Sequence, residues 1–205
     1  MKKNLYFIFI AASFALLTAA PGRLAYGLPL ILELNILMAS TNAFHSFVKK
    51  FDMGTLSDIL TVSFILFMTI LFKQVLIFFS PVIALTLSFC IYIPALSVFL
   101  LASVFQAQNV SESSGKNFKT TFWFSVFALV FFILRDILGY GTISIPVSNG
   151  IKESYLFNSY DTAFLSFFAT IPGALIILVL CMSFLLTVQL KMNTIEKAGL
   201  ADENN

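Results

Sequence analysis

The sequence predicts an all-α membrane protein of about six transmembrane helices, arranged as an inverted repeat with broken helices. Three observations lead there. Hydrophobic residues make up 59% of the chain and charged residues only 11%, where a soluble domain carries about 25% charge. A folded globule with so little charge cannot cover its own surface with polar groups, whereas a bilayer lets the outer face be apolar. The apolar residues also fall into runs of spanning length, and two stretches of the chain echo each other. The mean hydropathy of +0.95 agrees with the first point.

A span needs roughly 20 mostly apolar residues. The candidates are Leu5–Ala20, Leu24–Phe44, Leu56–Phe79, Pro81–Phe105, Thr121–Gly139 and Ala163–Leu190. The first is short. Lys2-Lys3, an apolar run and Thr18-Ala19-Ala20 let residues 1–20 be read either as a first helix or as a cleavable signal-like segment. Pro21-Gly22 separates the first two spans and Ser80-Pro81 the third and fourth. Residues 106–119 are polar and predict an exposed loop, on the cytoplasmic side by the charge bias below. Residues 140–161, with Gly141, Pro146, Asn149 and Gly150, predict the longest loop, on the opposite side. The last span is long enough to tilt or project, and residues 191–205 follow it as a tail. Residues 1–205 thus read as a single polytopic membrane domain.

Orientation follows from the placement of Lys and Arg. With six spans, one side holds eight cations: Lys2, Lys3, Lys49, Lys50, Lys116, Lys119, Lys191 and Lys197. The other holds four: Arg23, Lys73, Arg135 and Lys152. The bias predicts both termini in the cytoplasm. The echo runs from Leu28-Pro29 to Lys73 and from Ile93-Pro94 to Arg135, each through an apolar run, a polar loop and a long helix. With an odd number of helices per half the repeat is inverted across the membrane, an arrangement common in ion-translocating proteins.

Several function classes are excluded. A net charge of +2 with no basic run longer than two residues gives no nucleic-acid footprint. No nucleophile–base constellation, phosphate loop or nucleotide fingerprint is present. Cys90 and Cys181 lie in apolar stretches without a CxxC pattern and read as buried free thiols. His45, the single histidine, falls just past an apolar run and reads as interfacial.

What remains are residues that are costly in a membrane. Glu33 lies within an apolar run, and a carboxylate at a helix centre costs roughly 2.5–3.5 kcal/mol on insertion scales. It is either functional, or a neutral acid bonded to a neighbouring helix, or a residue near the interface. Asn35, two residues on, points to a different face. Pro29 is a candidate helix break that frees carbonyls, and Pro94 is its counterpart. Arg135 and Asp136 end the fifth span before Gly139 and Gly141. They read as ion-path candidates or as a helix terminus, where a cation complements the dipole and glycine permits a left-handed exit. Pro172 and Gly173 mark either a kink inside the last span or its true start.

Three of these stretches, in order, resemble one family. Phe131-Phe-Ile-Leu-Arg-Asp-Ile-Leu-Gly-Tyr-Gly-Thr-Ile143 resembles the Arg-Glu-[apolar]₂-Gly-x-Gly-Thr-[Leu/Ile] signature of the Rnf/Nqr membrane subunits, of the D/E type. Ile91-Tyr-Ile-Pro-Ala-Leu is similar to the Ile-Phe-Ile-Pro-Leu-Ile that opens their fourth helix. Ile171-Pro-Gly-Ala-Leu-Ile is similar to the Pro-Pro-Gly-Ala-Phe-Ile of their sixth. Leu32-Glu-Leu-Asn-Ile-Leu-Met-Ala-Ser-Thr41 aligns, less closely, with Leu-Gly-Leu-Cys-Pro-Leu-Leu-Ala-Val-Thr.

The resemblance implies a six-helix, inverted-repeat subunit of the bacterial plasma (inner) membrane. Its complex couples electron flow from NADH or ferredoxin to Na⁺ or H⁺ movement. Its partners are the other complex subunits, including an oppositely oriented homologous membrane subunit. In the family each such subunit supplies two cysteines to a [2Fe–2S] cluster. Here those positions are Asn35 and Leu100, neither of which supplies the thiolate that holds such a cluster. Cys90 is about ten residues from the second position. The expectation is a non-catalytic subunit with a structural or ion-path role, binding no cofactor or metal by itself. Its ion-path or structural candidates are Glu33, Asn35, Arg135 and Asp136. The alternatives are a stand-alone small ion or solute transporter on the same scaffold and an assembly protein without transport.

Overall fold

The computed structural model describes residues 14–51, 56–105, 110–148, 150–156 and 165–202. Most of the predicted first span lies outside the described residues, as do 106–109 of the polar loop, Asn149, 157–164 and 203–205. The described chain is mostly helical. A helix over residues 14–19 (α1) leads into α2 (Leu24–Val48), α3 (Leu56–Phe79), α4 (Pro81–Leu87) and α5 (Tyr92–Phe105). Then come α6 (Val110–Tyr140), an antiparallel hairpin β1 (Thr142–Val147) and β2 (Gly150–Tyr155), a 3₁₀ turn Leu165–Ala169, and α7 (Ile171–Asp202).

Three helices are long and apolar enough to cross a membrane: α2, α3 and the Phe118–Tyr140 part of α6. α4 and α5 make a fourth span if their bent pair is counted as one. The apolar part of α7, Ile171–Phe184, falls short of a span. The protein is therefore a membrane-embedded helical chain with three spans, or four, among its described residues.

α3 reads inside out, as a lipid-facing helix should. Its buried residues are Thr61, Ile65 and Thr69, spaced by four on one face. Its large apolar side chains point outward, with Phe78 84% and Phe79 65% exposed. Thr69 meets its own hydrogen-bonding need by donating to the Ile65 carbonyl at 2.9 Å, so a hydroxyl can line the inner face without a partner helix.

Four expected elements take a different form. Pro81–Phe105 is two helices meeting at 59°. Ser88 adopts a left-handed φ of 25°, and the chain between is carried by tight turns such as Cys90 N–H to Leu87 O at 2.6 Å. Pro94, near the start of α5, has no N–H for the Cys90 carbonyl and crowds it, so the break falls just upstream. Pro29, by contrast, sits inside an unbroken α2. The two prolines that mark the echo thus occupy different backbone settings.

The polar stretch before Thr121 is helical from Val110 onward. No proline occurs between Pro94 and Pro146, so nothing stops the helix from running past its apolar part. Thr142–Val147 and Gly150–Tyr155 pair as antiparallel strands where a loop was expected, with Ile145 opposite Lys152 and Val147 opposite Gly150. The last helix starts at Ile171, with Pro172 in its first turn, where a missing N–H costs nothing. Of the two readings of that site, the helix start is the one realised.

α2 is the central helix, with Leu30, Leu34, Leu37 and Met38 fully buried. It runs antiparallel to α6. Asp136 meets Leu24, Phe132 lies over Gly27 and Ser125 bonds Asn35. A Cβ on Gly27 would come within 2.4 Å of the Phe132 ring, so glycine is what allows the helices to approach. In a bilayer such close packing, rather than water exclusion, holds helices together.

Candidate functional site

The costly residues separate into two places. Arg135 and Asp136 sit at the end of α6, where α1, α2, the hairpin and the 3₁₀ turn converge. Both are buried, at 1% and 0% exposure. They do not pair with each other, because neighbours on a helix point about 100° apart.

Arg135 turns toward chain ends that carry unused carbonyls. Its Nη1 donates to Leu17 O at 3.0 Å and Ala20 O at 2.7 Å, at the end of α1. Its Nη2 donates to Ala169 O at 3.0 Å, at the end of the 3₁₀ turn, with Thr170 O at 3.4 Å. The guanidinium thus closes two C-terminal ends at once, using its planar fork of donors. Ala169 is drawn in so closely that Cβ atoms on Gly22 or Gly139 would each stand 2.9 Å from its backbone.

Asp136 does the opposite at the start of α2. Its Oδ2 accepts from Leu24 N–H at 3.2 Å, Ser144 N–H at 2.7 Å and Ser144 Oγ at 2.6 Å. Its Oδ1 accepts from Thr142 Oγ1 at 3.1 Å. Ser144 Oγ in turn accepts from Ala25 N–H at 3.1 Å. A helix start leaves free N–H groups and a partial positive charge, and the carboxylate answers both from a different helix. β1 serves this arrangement by burying its polar residues, Thr142 and Ser144, while Ile145 is 53% exposed.

The expected helix terminus at the interface therefore takes another form. Arg135 and Asp136 do lie near the end of α6, and Gly141 supplies the left-handed exit with φ 65°. Their side chains, however, face inward and cap three other elements. At the rim Arg23 ion-pairs with Glu153 of β2 and lies 4.5 Å over the Tyr140 ring. Burial alone would lower the Arg23 pKa, but Glu153 and Tyr140 outweigh it and hold the group charged. No protein-family model matches the chain, and no curated protein or solved structure does.

Glu33 is elsewhere, near the middle of α2 and about 13.5 Å from Leu24 at 1.5 Å rise per residue. It is 0% exposed. Neither Oε1 nor Oε2 has a hydrogen-bond partner among the described residues. This differs from the reading in which a neighbouring helix bonds the acid. A buried polar group without a partner is expensive, and in a membrane it marks a functional position by default.

Asn35 faces α6, away from Glu33. Its Nδ2 donates to Ile31 O and to Ser125 Oγ, both at 2.7 Å, and Ser125 Oγ donates a hydrogen bond to Thr121 O at 2.8 Å. Leu100 lies on α5. Neither residue can ligate iron through sulfur, and Cys90, at the α4–α5 break, contacts Ala19 O at 3.4 Å. The residues at these two positions do not fit a [2Fe–2S] cluster. Among the described residues no group of three or more His, Cys, Asp or Glu is placed to hold a metal ion.

Sequence reasoning quoted Thr142 only within the family signature and gave no site role to Ser144, Ser125, Arg23 or Glu153. The inward pair of β1 had a signal in the polar-apolar alternation of Thr-Ile-Ser-Ile, but only once the segment is read as a strand. The Arg23–Glu153 pair, 130 positions apart, had none.

Proposed function

We propose that this chain is an integral membrane subunit of an Rnf/Nqr-like ion-translocating electron-transport complex. Its role is to build or line an ion path, without iron–sulfur ligands of its own. The observation that carries the reading is Glu33. A carboxyl buried without a partner near the middle of a spanning helix imposes a cost that a purely structural subunit gains nothing by keeping.

The resemblance adds support. The signature residues Arg135, Gly139, Gly141 and Thr142, with Asp136 in place of the signature Glu, gather at one buried joint. The rest of the reading follows the family pattern: about six spans in an inverted repeat, both termini cytoplasmic, the bacterial inner membrane, and an oppositely oriented homologous subunit as partner.

The test is purification of the tagged protein from its native membrane in gentle detergent, with partners identified by mass spectrometry and iron measured in the same sample. Co-purification with flavin- and iron-bearing subunits is expected. A lone protein or homo-oligomer without iron would refute membership of such a complex and favour a stand-alone transporter. Glu33→Gln is expected to abolish ion flux while the protein still assembles; normal flux would remove Glu33 from the path.

A further inference from the structure

The surroundings of Glu33 bear on which ion it handles. This inference rests on the ion-path reading. An alkali-metal cation gives up its hydration shell only where several oxygens replace it, whether backbone carbonyls or side chains. In many helical transporters those carbonyls come from an unwound stretch of a broken helix. Here α2 is continuous from Leu24 to Val48, so its carbonyls stay in the helix ladder. The one that Pro29 releases belongs to Ala25, about two turns below Glu33.

Among the described residues no side chain bonds the Glu33 carboxyl. The carboxyl shares α2 with Leu30, Leu34 and Leu37, all fully buried. Among the described residues the hydroxyls buried on the neighbouring helices, Thr61 and Thr69 on α3, Ser97 on α5 and Ser125 on α6, donate to carbonyls of their own helices. The two on α2 and α6 without a partner are remote: Thr41 is about two turns up α2, and Thr121 lies a turn beyond the Ser125 that bonds Asn35. The charged and titratable groups that the packed helices offer are committed or distant. Arg135 and Asp136 of α6 are held at the joint, and Tyr140 stacks on Arg23. Lys73 of α3 bonds Tyr92 of α5 at 3.3 Å, and Asp58 lies in the first turn of α3. None of them has a polar atom in contact with Glu33 among the described residues. One carboxyl in apolar packing cannot form a coordination shell, but it can hold a proton.

We infer that the ion handled at Glu33 is a proton and not an alkali-metal cation, carried as the neutral carboxylic acid in the middle of α2.

Dicyclohexylcarbodiimide tests this directly in the purified complex. A neutral acid gives its proton to a carbodiimide nitrogen while its oxygen bonds the central carbon; an oxygen-to-nitrogen acyl shift then leaves a stable adduct. The reagent is apolar and partitions into the membrane, and a cleft of about 350 Å³ lined by Leu28, Pro29 and Leu32 of α2 and Phe72 of α3 reaches the residue before Glu33 in the chain, though not Glu33 itself. Peptide mass spectrometry is expected to find the adduct on Glu33. Its rate should be the same in sodium and in choline buffers of equal ionic strength, and should fall only as pH rises. Sodium protection that grows with concentration would overturn the proton assignment and leave the ion path standing. No adduct at any pH would also overturn it. Flux through Glu33→Gln then decides the underlying reading independently: lost flux keeps Glu33 in the path, and unchanged flux removes it.

Discussion

Asp136→Ala should unfasten the start of α2. The carboxylate receives four hydrogen bonds, from Leu24 N–H, Ser144 N–H, Ser144 Oγ and Thr142 Oγ1. The two hydroxyls can rotate toward other acceptors, but the two backbone amides cannot. Each buried donor left without a partner costs about 1–3 kcal/mol, so alanine should cost about 2–6 kcal/mol. Asp136→Asn keeps one carbonyl oxygen for both amides and loses mainly the charge assistance, which roughly doubles a hydrogen bond's strength; about 1–2 kcal/mol is expected. The local assay is hydrogen exchange by mass spectrometry in detergent, read over peptides covering Leu24–Tyr26. At 1.4 kcal/mol per factor of ten, alanine should speed exchange there by roughly 30-fold or more, and asparagine by about tenfold. Unchanged protection in Asp136→Ala would refute the cap. Equal damage from Asn and Ala would show that charge, rather than acceptor geometry, holds the helix start.

Three further outcomes follow from the same contacts. Gly27→Ala places a Cβ within 2.4 Å of the Phe132 ring and should cost about 1–3 kcal/mol; Phe132→Leu in the same chain should restore much of it, measured as a non-additive double-mutant cycle in apparent Tm. Arg135→Lys keeps the charge but cannot reach carbonyls on both α1 and the 3₁₀ turn, so it should still cost about 2–3 kcal/mol; an apparent Tm equal to wild type at a fixed scan rate would refute the double cap. The Arg23–Glu153 pair, with side chains 24% and 26% exposed, should show a coupling of about 1 kcal/mol or less that shrinks with added salt.

The sequence made the membrane class and most helix positions legible, because both rest on local apolar runs. Leu24–Phe44 and Leu56–Phe79 match helices to within a few residues at each end. The exit at Gly141 was readable for the same reason: a glycine after a helical run needs no distant partner. The misses are non-local or two-sided. Pro94 announced a break, but the break lies upstream, at Ser88, because proline disturbs the turn before it. The strand pair over 142–147 and 150–155 was hidden by Pro146 and Gly150, which read as loop residues. Pro146 is tolerated in a two-stranded sheet, where each strand has a free edge. Arg135 and Asp136 were picked out for their cost, yet of the elements they cap the 3₁₀ turn lies 34 positions away and α1 and α2 more than 100, and no local pattern encodes that.

The joint also explains why two opposite charges stand next to each other without pairing. A helix end leaves carbonyls at one terminus and amides at the other. Where chain segments meet in a buried joint, neither set can turn to water. One cation can satisfy carbonyls from two C-terminal ends, and one carboxylate can satisfy amides at an N-terminal start. Adjacent positions on α6 aim the two groups in different directions, so a single dipeptide seals α1, the 3₁₀ turn and α2. Exchanging the order, as Arg135→Asp with Asp136→Arg, keeps the net charge but puts each group against its own sign. That variant should fail to assemble. If it accumulates and melts like the wild type, net charge at the end of α6 would be the only requirement, and the directional capping argued from these contacts would be wrong.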